Sequence, residues 1–141
     1  MNSGGRSEGL RRGLEILQLF TDTDFEWGIT EISNELGLHK SRVHRAVKTL
    51  EDVGFLRKNL KNRKYLLGLH AFELGSVASR RFNLMPEARP LMKKLVAKTK
   101  ATVSIRIKDG DDMVVVECIE SPDDLRVHSP QGARRAWDFG A

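Results

Sequence analysis

The sequence predicts an α+β protein with a mainly helical first part and a mixed second part. Before residue 54, apolar residues recur at spacings of three and four, which is typical of amphipathic helices. Two pairs of short apolar or alternating segments, within 55–67 and 102–120, predict hairpins. With 141 residues, 40% apolar and 30% charged, the chain has the balance of a folded protein of one medium or two small domains.

Two helices are predicted before the glycine at position 37. The first spans 10–20, where leucines repeat at helical spacing. The second is short, from Glu31 to Leu36, and Thr30 is a suitable N-cap for it. Gly37 and Leu38 then leave room only for a tight turn, so the next helix must cross the second one steeply.

A third helix is predicted from Lys40 to Val53, followed by Gly54 as its C′ residue. Its apolar stripe consists of Val43, Ala46, Val47, Leu50 and Val53. The opposite side carries Ser41, Arg45 and Lys48, with Arg42, His44 and Thr49 beside them. The basic side chains of this helix are therefore expected to point away from the core.

Positive charge is concentrated in this helix and in the segment after it, where strands are predicted at 55–59 and 63–67 around a turn at 60–62. The window 39–64 contains nine lysines and arginines against two acids, a net charge of +7, whereas the whole chain carries +5. A local excess of this size predicts a polyanionic partner.

The remaining chain predicts two helices and a second hairpin. A helix at 69–82 is rich in small residues, which suits close packing on a partner helix and a flexible connector equally well. The next helix opens at Pro86, and Pro90 is expected to kink or restart its first turn. Its apolar repeat consists of Ala88, Leu91, Met92, Leu95 and Val96.

The second hairpin is predicted to pair "TVSIRIK" with "MVVVECIE" across the turn "DGDD", with the second strand buried on both faces. A further short strand is possible at 125–129. Cys118 lies in the second strand, where we expect a small packed side chain rather than a nucleophile.

A short helix, a tight glycine turn and a second helix, with a helix before and a hairpin after, is the element order of a winged helix-turn-helix. In that arrangement the second helix enters the major groove of DNA with its N-terminal end foremost. This end carries Lys40, Ser41, Arg42, His44 and Arg45, with Lys48 further along. Arg42 and Arg45 are the expected base readers, because a guanidinium can donate to both guanine acceptors.

The hairpin has no aromatic residues interleaved with its cations, so we expect it to contact phosphates or the minor groove. Its basic residues are Arg57, Lys58, Lys61, Arg63 and Lys64. Thr30, as the expected cap of the second helix, would aim backbone N–H groups at a phosphate.

Other functional classes have weaker support. An isolated basic helix face is more often merely solvated, and only its agreement with the turn, the cap and the hairpin favours DNA binding. A winged helix used for protein contact without specific DNA binding is the alternative, and it would need an exposed apolar patch where this sequence has Arg45 and Lys48.

Catalysis is not expected, nor is a metal or cofactor, because the four histidines do not pair at helical spacing and "DGDD" lacks the further ligands of a calcium loop. No signal peptide or span of about 18 apolar residues is present, so we expect a cytoplasmic protein without a membrane partner.

The sequence resembles the IclR family of bacterial transcriptional regulators. The resemblance is carried by "SEGLRRGLEILQLF", "ITEISNELGLHKSRVHRAVKTLEDVGFLRKN" and "RKYLLGLHAFELG", and the segment from "MPEARP" to "DDLRV" looks like the opening of the family's effector-binding domain. It implies a winged helix-turn-helix DNA-binding domain at 1–67, a linker helix at 68–82 and an incomplete α/β effector-binding domain at 83–141.

The resemblance also implies a homodimer, or a dimer of dimers, that binds double-stranded DNA at a palindromic operator and responds to an unknown small-molecule effector. It adds Arg12, which matches a basic residue of the first helix that can reach the DNA backbone. The operator, the target genes, the effector and the choice between activation and repression stay open.

Two features depart from the family pattern. His39 stands where proline is usual, which would loosen the turn or add a donor. Trp137 and Asp138 replace a leucine and a histidine, and the family's effector domain continues beyond this point, so the chain is expected to be a fragment or to have an incomplete second domain. We assign no effector-binding residues.

Overall fold

The computed structural model of the chain describes residues 7–81, 85–123 and 130–136. Contacts divide the chain into two compact units, Met1–Ser76 and Val77–Ala141, and the division falls within a helix. The mixture of helices and strands confirms the predicted α+β class.

The first unit contains three helices, a hairpin and the start of a fourth helix. These elements are α1 (Glu8–Gln18), α2 (Ile29–Glu35), α3 (Lys40–Asp52), β1 (Leu56–Lys58), β2 (Tyr65–Leu67) and the first part of α4 (Leu69–Arg81). The core consists of Ile16, Ile32, Val43, Val47, Leu56 and Tyr65. Each element from α1 to β2 contributes to this list, so their relative positions are fixed by shared apolar burial.

The buried stripe of α3 is close to the predicted one. Val43 and Val47 are fully buried, and Ala46 and Leu50 pack against them. The prediction was wrong for Val53, which is exposed because it is the C-cap and lies outside the regular helix.

Both earlier helices begin sooner than predicted. Ser7 Oγ accepts a hydrogen bond from the backbone N–H of Leu10 at 3.4 Å, so α1 starts at Glu8. The expectation that Thr30 caps the second helix was wrong. Gly28 is the N-cap, because its N–H donates to the Glu31 carboxylate at 2.7 Å, and Thr30 lies within the first turn of α2.

The turn between α2 and α3 is closed by two hydrogen bonds. The backbone N–H of Leu38 donates to Ser33 O at 3.0 Å, and Ser33 Oγ donates to Leu38 O at 2.6 Å. Gly37 has a φ of +61°, a conformation that costs a residue with a Cβ roughly 1–2 kcal/mol. The predicted tight turn is therefore confirmed.

The predicted first hairpin is also confirmed. Strands β1 and β2 are antiparallel, with Leu56 opposite Leu67 and Lys58 opposite Tyr65. Trp27 extends this small sheet, because its backbone exchanges two hydrogen bonds with Tyr65, at 3.0 and 2.8 Å. We call residues 56–67 the wing.

The second unit combines the rest of α4 with one further helix and a three-stranded sheet. These elements are α5 (Met85–Thr99), β3 (Val103–Asp109), β4 (Asp112–Ile119) and β5 (Arg134–Ala136). Helix α5 is assigned without interruption through Pro90. Met92 and Val96 are buried, but Leu91 and Leu95 are exposed, so the predicted apolar face of α5 was only half right.

The predicted second hairpin is confirmed, with β3 and β4 antiparallel and Asp109 opposite Asp112 across a two-residue turn. In β4 only Val115 is fully buried, so burial on both faces was wrong. A strand is buried on both faces only when other elements pack on both sides of its sheet. Among the described residues, α5 is the helix that packs on β3 and β4. The strand suggested at 125–129 lies outside the described residues.

The sequence did not predict β5, which pairs with β4. Arg134 of β5 forms ion pairs with Asp109 and Asp112 at 2.5 and 3.1 Å, at the place where β5 pairs with β4.

Cys118 is half-buried, and burial, followed by the charges of Glu120 and Glu117, raises the pKa of its thiol. Of the helices in the described ranges, none is long and apolar enough to cross a bilayer.

Candidate nucleic-acid interface

The outer face of α3 carries every site residue predicted on that helix. All six side chains are exposed, on the side away from Val43 and Val47: Lys40, Ser41, Arg42, His44, Arg45 and Lys48. Burial of the two valines fixes the rotation of α3 about its axis. The same burial that builds the core therefore presents the polar face to solvent.

The N-terminus of α3 is capped by a side chain that the sequence did not identify as a cap. The Nδ1 atom of His39 accepts a hydrogen bond from the backbone N–H of Ser41 at 3.3 Å and lies 2.8 Å from Ser41 Oγ. His39 thus satisfies one of the free N–H groups at the start of the helix as an acceptor, and the expectation that it adds a donor was wrong for this contact.

The predicted cations of the wing are mostly exposed. Arg57, Lys58, Lys61 and Arg63 are exposed, whereas Lys64 is half-buried. The Nζ atom of Lys58 lies 5.7 Å from the centre of the Tyr65 ring, and Arg63 adopts a φ of +61° in the loop between the strands.

Three predicted DNA-contacting cations are already paired with carboxylates. Lys64 Nζ lies 2.6 Å from Glu31, and Arg12 lies 3.1 Å from Glu8. Lys48 Nζ contacts Glu51 and Asp52 at 3.2 and 3.1 Å. These pairs reduce the positive charge that the three side chains present to a polyanion.

The pKa values reflect the same pairing. The hydrogen bond from Lys64, followed by that from the Gly28 N–H, lowers the pKa of Glu31. Hydrogen bonds to Asp52 and Glu51 raise the pKa of Lys48.

The Arg12 side chain is only 15% exposed, and its buried Nε has no hydrogen-bond partner among the described residues.

A carboxylate outside the predicted set holds the loop of the wing. Glu26 Oε1 accepts a hydrogen bond from Asn59 Nδ2 at 2.7 Å, and Oε2 accepts one from Asn62 Nδ2 at 2.6 Å. These two bonds, and then the charges of Lys64 and Arg57, lower the pKa of Glu26. The partners are separated by 33 and 36 positions, so no local sequence signal could have revealed them.

An open cleft lies between the start of α2, the outer face of α3 and the wing. Thr30, His44, Lys58, Arg63 and Lys64 are among the residues that line it. The structure thus brings predicted site residues from three elements to one surface of the first unit. Arg12 lies instead in a groove between α1 and α3, together with Arg42 and Arg45.

A short helix, a glycine turn, an exposed basic helix and a basic hairpin define a winged helix-turn-helix of the kind that binds nucleic acid. Residues 9–60 match the family model of the IclR helix-turn-helix domain, and residues 77–137 match that of the bacterial transcriptional regulator IclR C-terminal domain. The chain belongs to the IclR family of bacterial transcriptional regulators, as its resemblance had indicated.

Individual relatives agree with this assignment. The regulator BhcR of Paracoccus denitrificans is 33% identical over 135 residues, which are 96% of this chain and 48% of that protein. The crystal structure of an IclR-family regulator from Brucella abortus superposes with a TM-score of 0.75 at 28% identity, covering 95% of this chain and 51% of the other.

A third similar structure supports the fold alone. It is an IclR homologue from Microbacterium hydrocarbonoxydans in complex with 4-hydroxybenzoate, with a TM-score of 0.79 at 19% identity, covering 92% of this chain and 53% of the other. The chain spans about half the length of the curated relatives it matches.

Proposed function

We propose that this chain binds double-stranded DNA in a sequence-dependent way and thereby regulates transcription. One observation carries the proposal. The N-terminal half of α3 exposes a basic, hydrogen-bonding surface opposite the buried Val43 and Val47. A helix with one apolar face in the core and one polar face free can enter the major groove without unfolding any part of the domain.

The bases are read from α3. Arg42 and Arg45 donate in pairs to guanine O6 and N7, and each contact contributes roughly 1–3 kcal/mol of discrimination. Ser41 and His44 add single hydrogen bonds to base edges, and Lys40 contacts a phosphate at the start of the helix. The His39 cap stabilises this end of α3, because its Nδ1 atom accepts a hydrogen bond from the Ser41 N–H, which has no partner within the helix.

The wing supplies affinity. Arg57, Lys58, Lys61 and Arg63 are exposed and reach phosphates or the minor groove. Thr30 contacts a phosphate with its exposed side chain, from the first turn of α2 rather than as a cap. Arg12, Lys48 and Lys64 contribute less, since each must first exchange a carboxylate partner.

A homodimer, or a dimer of dimers, presents two such surfaces to a palindromic operator. Exposed apolar side chains on two helices support this part of the proposal, since isolated folded domains rarely leave such residues in groups. On α1 they are Leu10 and Leu14, which are 65% and 51% exposed, and on α4 they include Leu69, Phe72 and Leu74.

We propose that the chain divides into a DNA-binding domain at 1–67, a linker helix at 68–82 and part of an effector-binding domain at 83–141.

A small-molecule effector is the further proposed partner. The homologue from Microbacterium hydrocarbonoxydans was crystallised with 4-hydroxybenzoate. We extend to this chain only the class of partner, a small organic molecule bound by the complete effector domain.

Titration of duplex binding against salt tests the DNA-binding proposal. A protein that neutralises phosphates loses affinity with a log–log slope of about −0.9 per phosphate contacted. We expect a slope that corresponds to several contacts, together with tighter binding to a selected site than to random duplex. A slope near zero, or no binding to any duplex in dilute buffer, would contradict the proposal.

A further inference from the structure

We propose that Glu26 is a positioning residue for DNA binding: its carboxylate holds the wing tip, residues 59–64, so that Lys61 and Arg63 meet the DNA in one arrangement. The inference rests on the proposed function, because it concerns the same interface. Glu26 lies in the segment before α2 and outside the set of residues that touch DNA in that proposal.

The geometry is that of a two-point clamp. Each oxygen of the Glu26 carboxylate accepts one amide N–H, from Asn59 at 2.7 Å and from Asn62 at 2.6 Å. These two asparagines stand on either side of Leu60 and Lys61, so the clamp holds the tip at its first residue and at Asn62, next to Arg63. Hydrogen bonds to an ionised acceptor are about twice as strong as neutral ones.

Each asparagine also organises the backbone of the tip. Asn59 Oδ1 accepts the N–H of Lys61, and Asn62 Oδ1 accepts the N–H of Lys64, both at 3.0 Å. The two amide groups thus use their oxygen on the loop and their nitrogen on Glu26. Loss of the carboxylate would free both amides and, through them, the turns that they stabilise.

Glu26 itself is attached to a rigid part of the first unit. The adjacent Trp27 exchanges two backbone hydrogen bonds with the buried Tyr65, and its indole N–H donates to Leu19 O at 3.0 Å. Trp27 also packs against the core that contains Val43 and Val47 of α3. The backbone that carries the Glu26 carboxylate is therefore held relative to α3. Order established before binding does not have to be created during binding, which raises affinity.

The positioning role and simple charge repulsion predict opposite changes in DNA affinity for the substitution Glu26→Gln. If Glu26 were only a negative charge near a polyanion site, Glu26→Gln would tighten DNA binding by removing a repulsion. If Glu26 positions the tip, the same change weakens binding, because glutamine keeps one acceptor oxygen but turns an NH₂ group towards an asparagine amide.

The experiment measures binding of the full chain to duplex DNA over a range of salt concentrations. We expect Glu26→Gln to weaken binding about three- to tenfold and to reduce the magnitude of the salt slope by about one phosphate contact. Glu35→Gln is the matched control, because it removes one negative charge from an exposed position at the end of α2. It should bind as tightly as the wild type or slightly more tightly.

A double-variant cycle separates positioning from general destabilisation. In a Lys61→Ala/Arg63→Ala background, Glu26→Gln should have no further effect, because the side chains that it positions are gone. Asn62→Ala removes one half of the clamp at an exposed position without any change of charge, and it should weaken binding in the same direction. This variant keeps the test valid if Glu26→Gln folds poorly.

Three results would overturn the inference. They are equal or tighter binding by both Glu26→Gln and Asn62→Ala, an undiminished effect of Glu26→Gln without Lys61 and Arg63, and an equal loss with Glu35→Gln. In each of these cases the wild type still binds DNA, so the proposed function survives. Failure of the wild type to bind any duplex would instead remove the proposed function together with this inference.

Discussion

The Nδ1 atom of His39 lies 2.8 Å from Ser41 Oγ and 3.3 Å from the Ser41 backbone nitrogen, so the residue just before α3 is its N-cap. The capping group and a proposed base-contacting residue are therefore in direct contact. His39 therefore stabilises α3 through a side-chain hydrogen bond, whereas a proline at this position would act through a restricted φ angle.

The His39 cap predicts a specific stability pattern. His39→Ala should lower the free energy of unfolding by about 0.5–2 kcal/mol, because the N–H of Ser41 loses its acceptor. His39→Ser offers another capping oxygen and should retain most of that stability. Urea denaturation of the two variants measures the difference, and equal losses would mean that the histidine does not act as a cap.

If α3 reads bases and the wing contacts phosphates, Arg45→Ala and Lys61→Ala should affect DNA binding differently. Arg45→Ala should reduce the difference in binding free energy between the selected site and random duplex by about 1–3 kcal/mol, because it removes base contacts. Lys61→Ala should weaken both kinds of binding alike and reduce the salt slope by about one. Competition binding with selected and random duplexes measures both quantities. An equal loss on both duplexes for Arg45→Ala would remove its base-reading role.

Two glycines predict different costs for the same substitution. A Cβ atom on Gly68 would lie 2.1 Å from Gly54 O, so Gly68→Ala must displace backbone where the wing joins α3, at an expected cost of about 3 kcal/mol. Gly37 has open space around it and only an unfavourable φ of +61°, so Gly37→Ala should cost about 1–2 kcal/mol. Chemical denaturation gives both values, and the reverse order would contradict the packing at the junction.

The acidic side chains at the wing predict how stability depends on pH. Amide hydrogen bonds from Asn59 and Asn62 lower the pKa of Glu26, and the bonds from Lys64 and Gly28 lower that of Glu31. A carboxyl group whose pKa is lower in the folded state stabilises the fold above its unfolded pKa and loses this effect as the pH falls. Stability should therefore be constant near neutral pH and decrease below about pH 4.3.

The variant Glu26→Gln/Glu31→Gln tests this pH dependence. It should be less stable than the wild type at pH 7, and the difference should shrink as the pH falls, because both wild-type carboxylates then become protonated. Urea unfolding at a series of pH values measures the difference. A gap that stays constant down to pH 3 would show that these carboxylates do not contribute through their ionised form.

The sequence predicted the elements whose signals are local. The buried face of α3 follows from the spacing of Val43 and Val47, and the left-handed Gly37 follows from the need for a tight turn. The order of helices and hairpin then required the outer face of α3 to be exposed. Most of the candidate interface on α3 is therefore predictable from the sequence.

What the sequence could not predict depends on contacts between distant positions or on competition between similar groups. Lys64 and Glu31 are 33 positions apart, and nothing near either residue indicates their pairing. Thr30 has the better capping side chain, but the Glu31 carboxylate reaches back to the Gly28 N–H and moves the start of α2. Strand β5 consists of two arginines and an alanine, which are not typical strand residues. Its Arg134 forms an ion pair with Asp109 of β3.

Selection of bound sites from random duplexes, carried out in parallel for the wild type and Arg45→Ala, tests DNA reading by α3 most directly. The wild type should enrich a short sequence repeated in inverted orientation, with half-site centres about one helical turn apart or a multiple of it. Arg45→Ala should lose its preference at the same base position in both halves. A folded wild-type protein that enriches no sequence at low salt would contradict the proposal that α3 reads DNA.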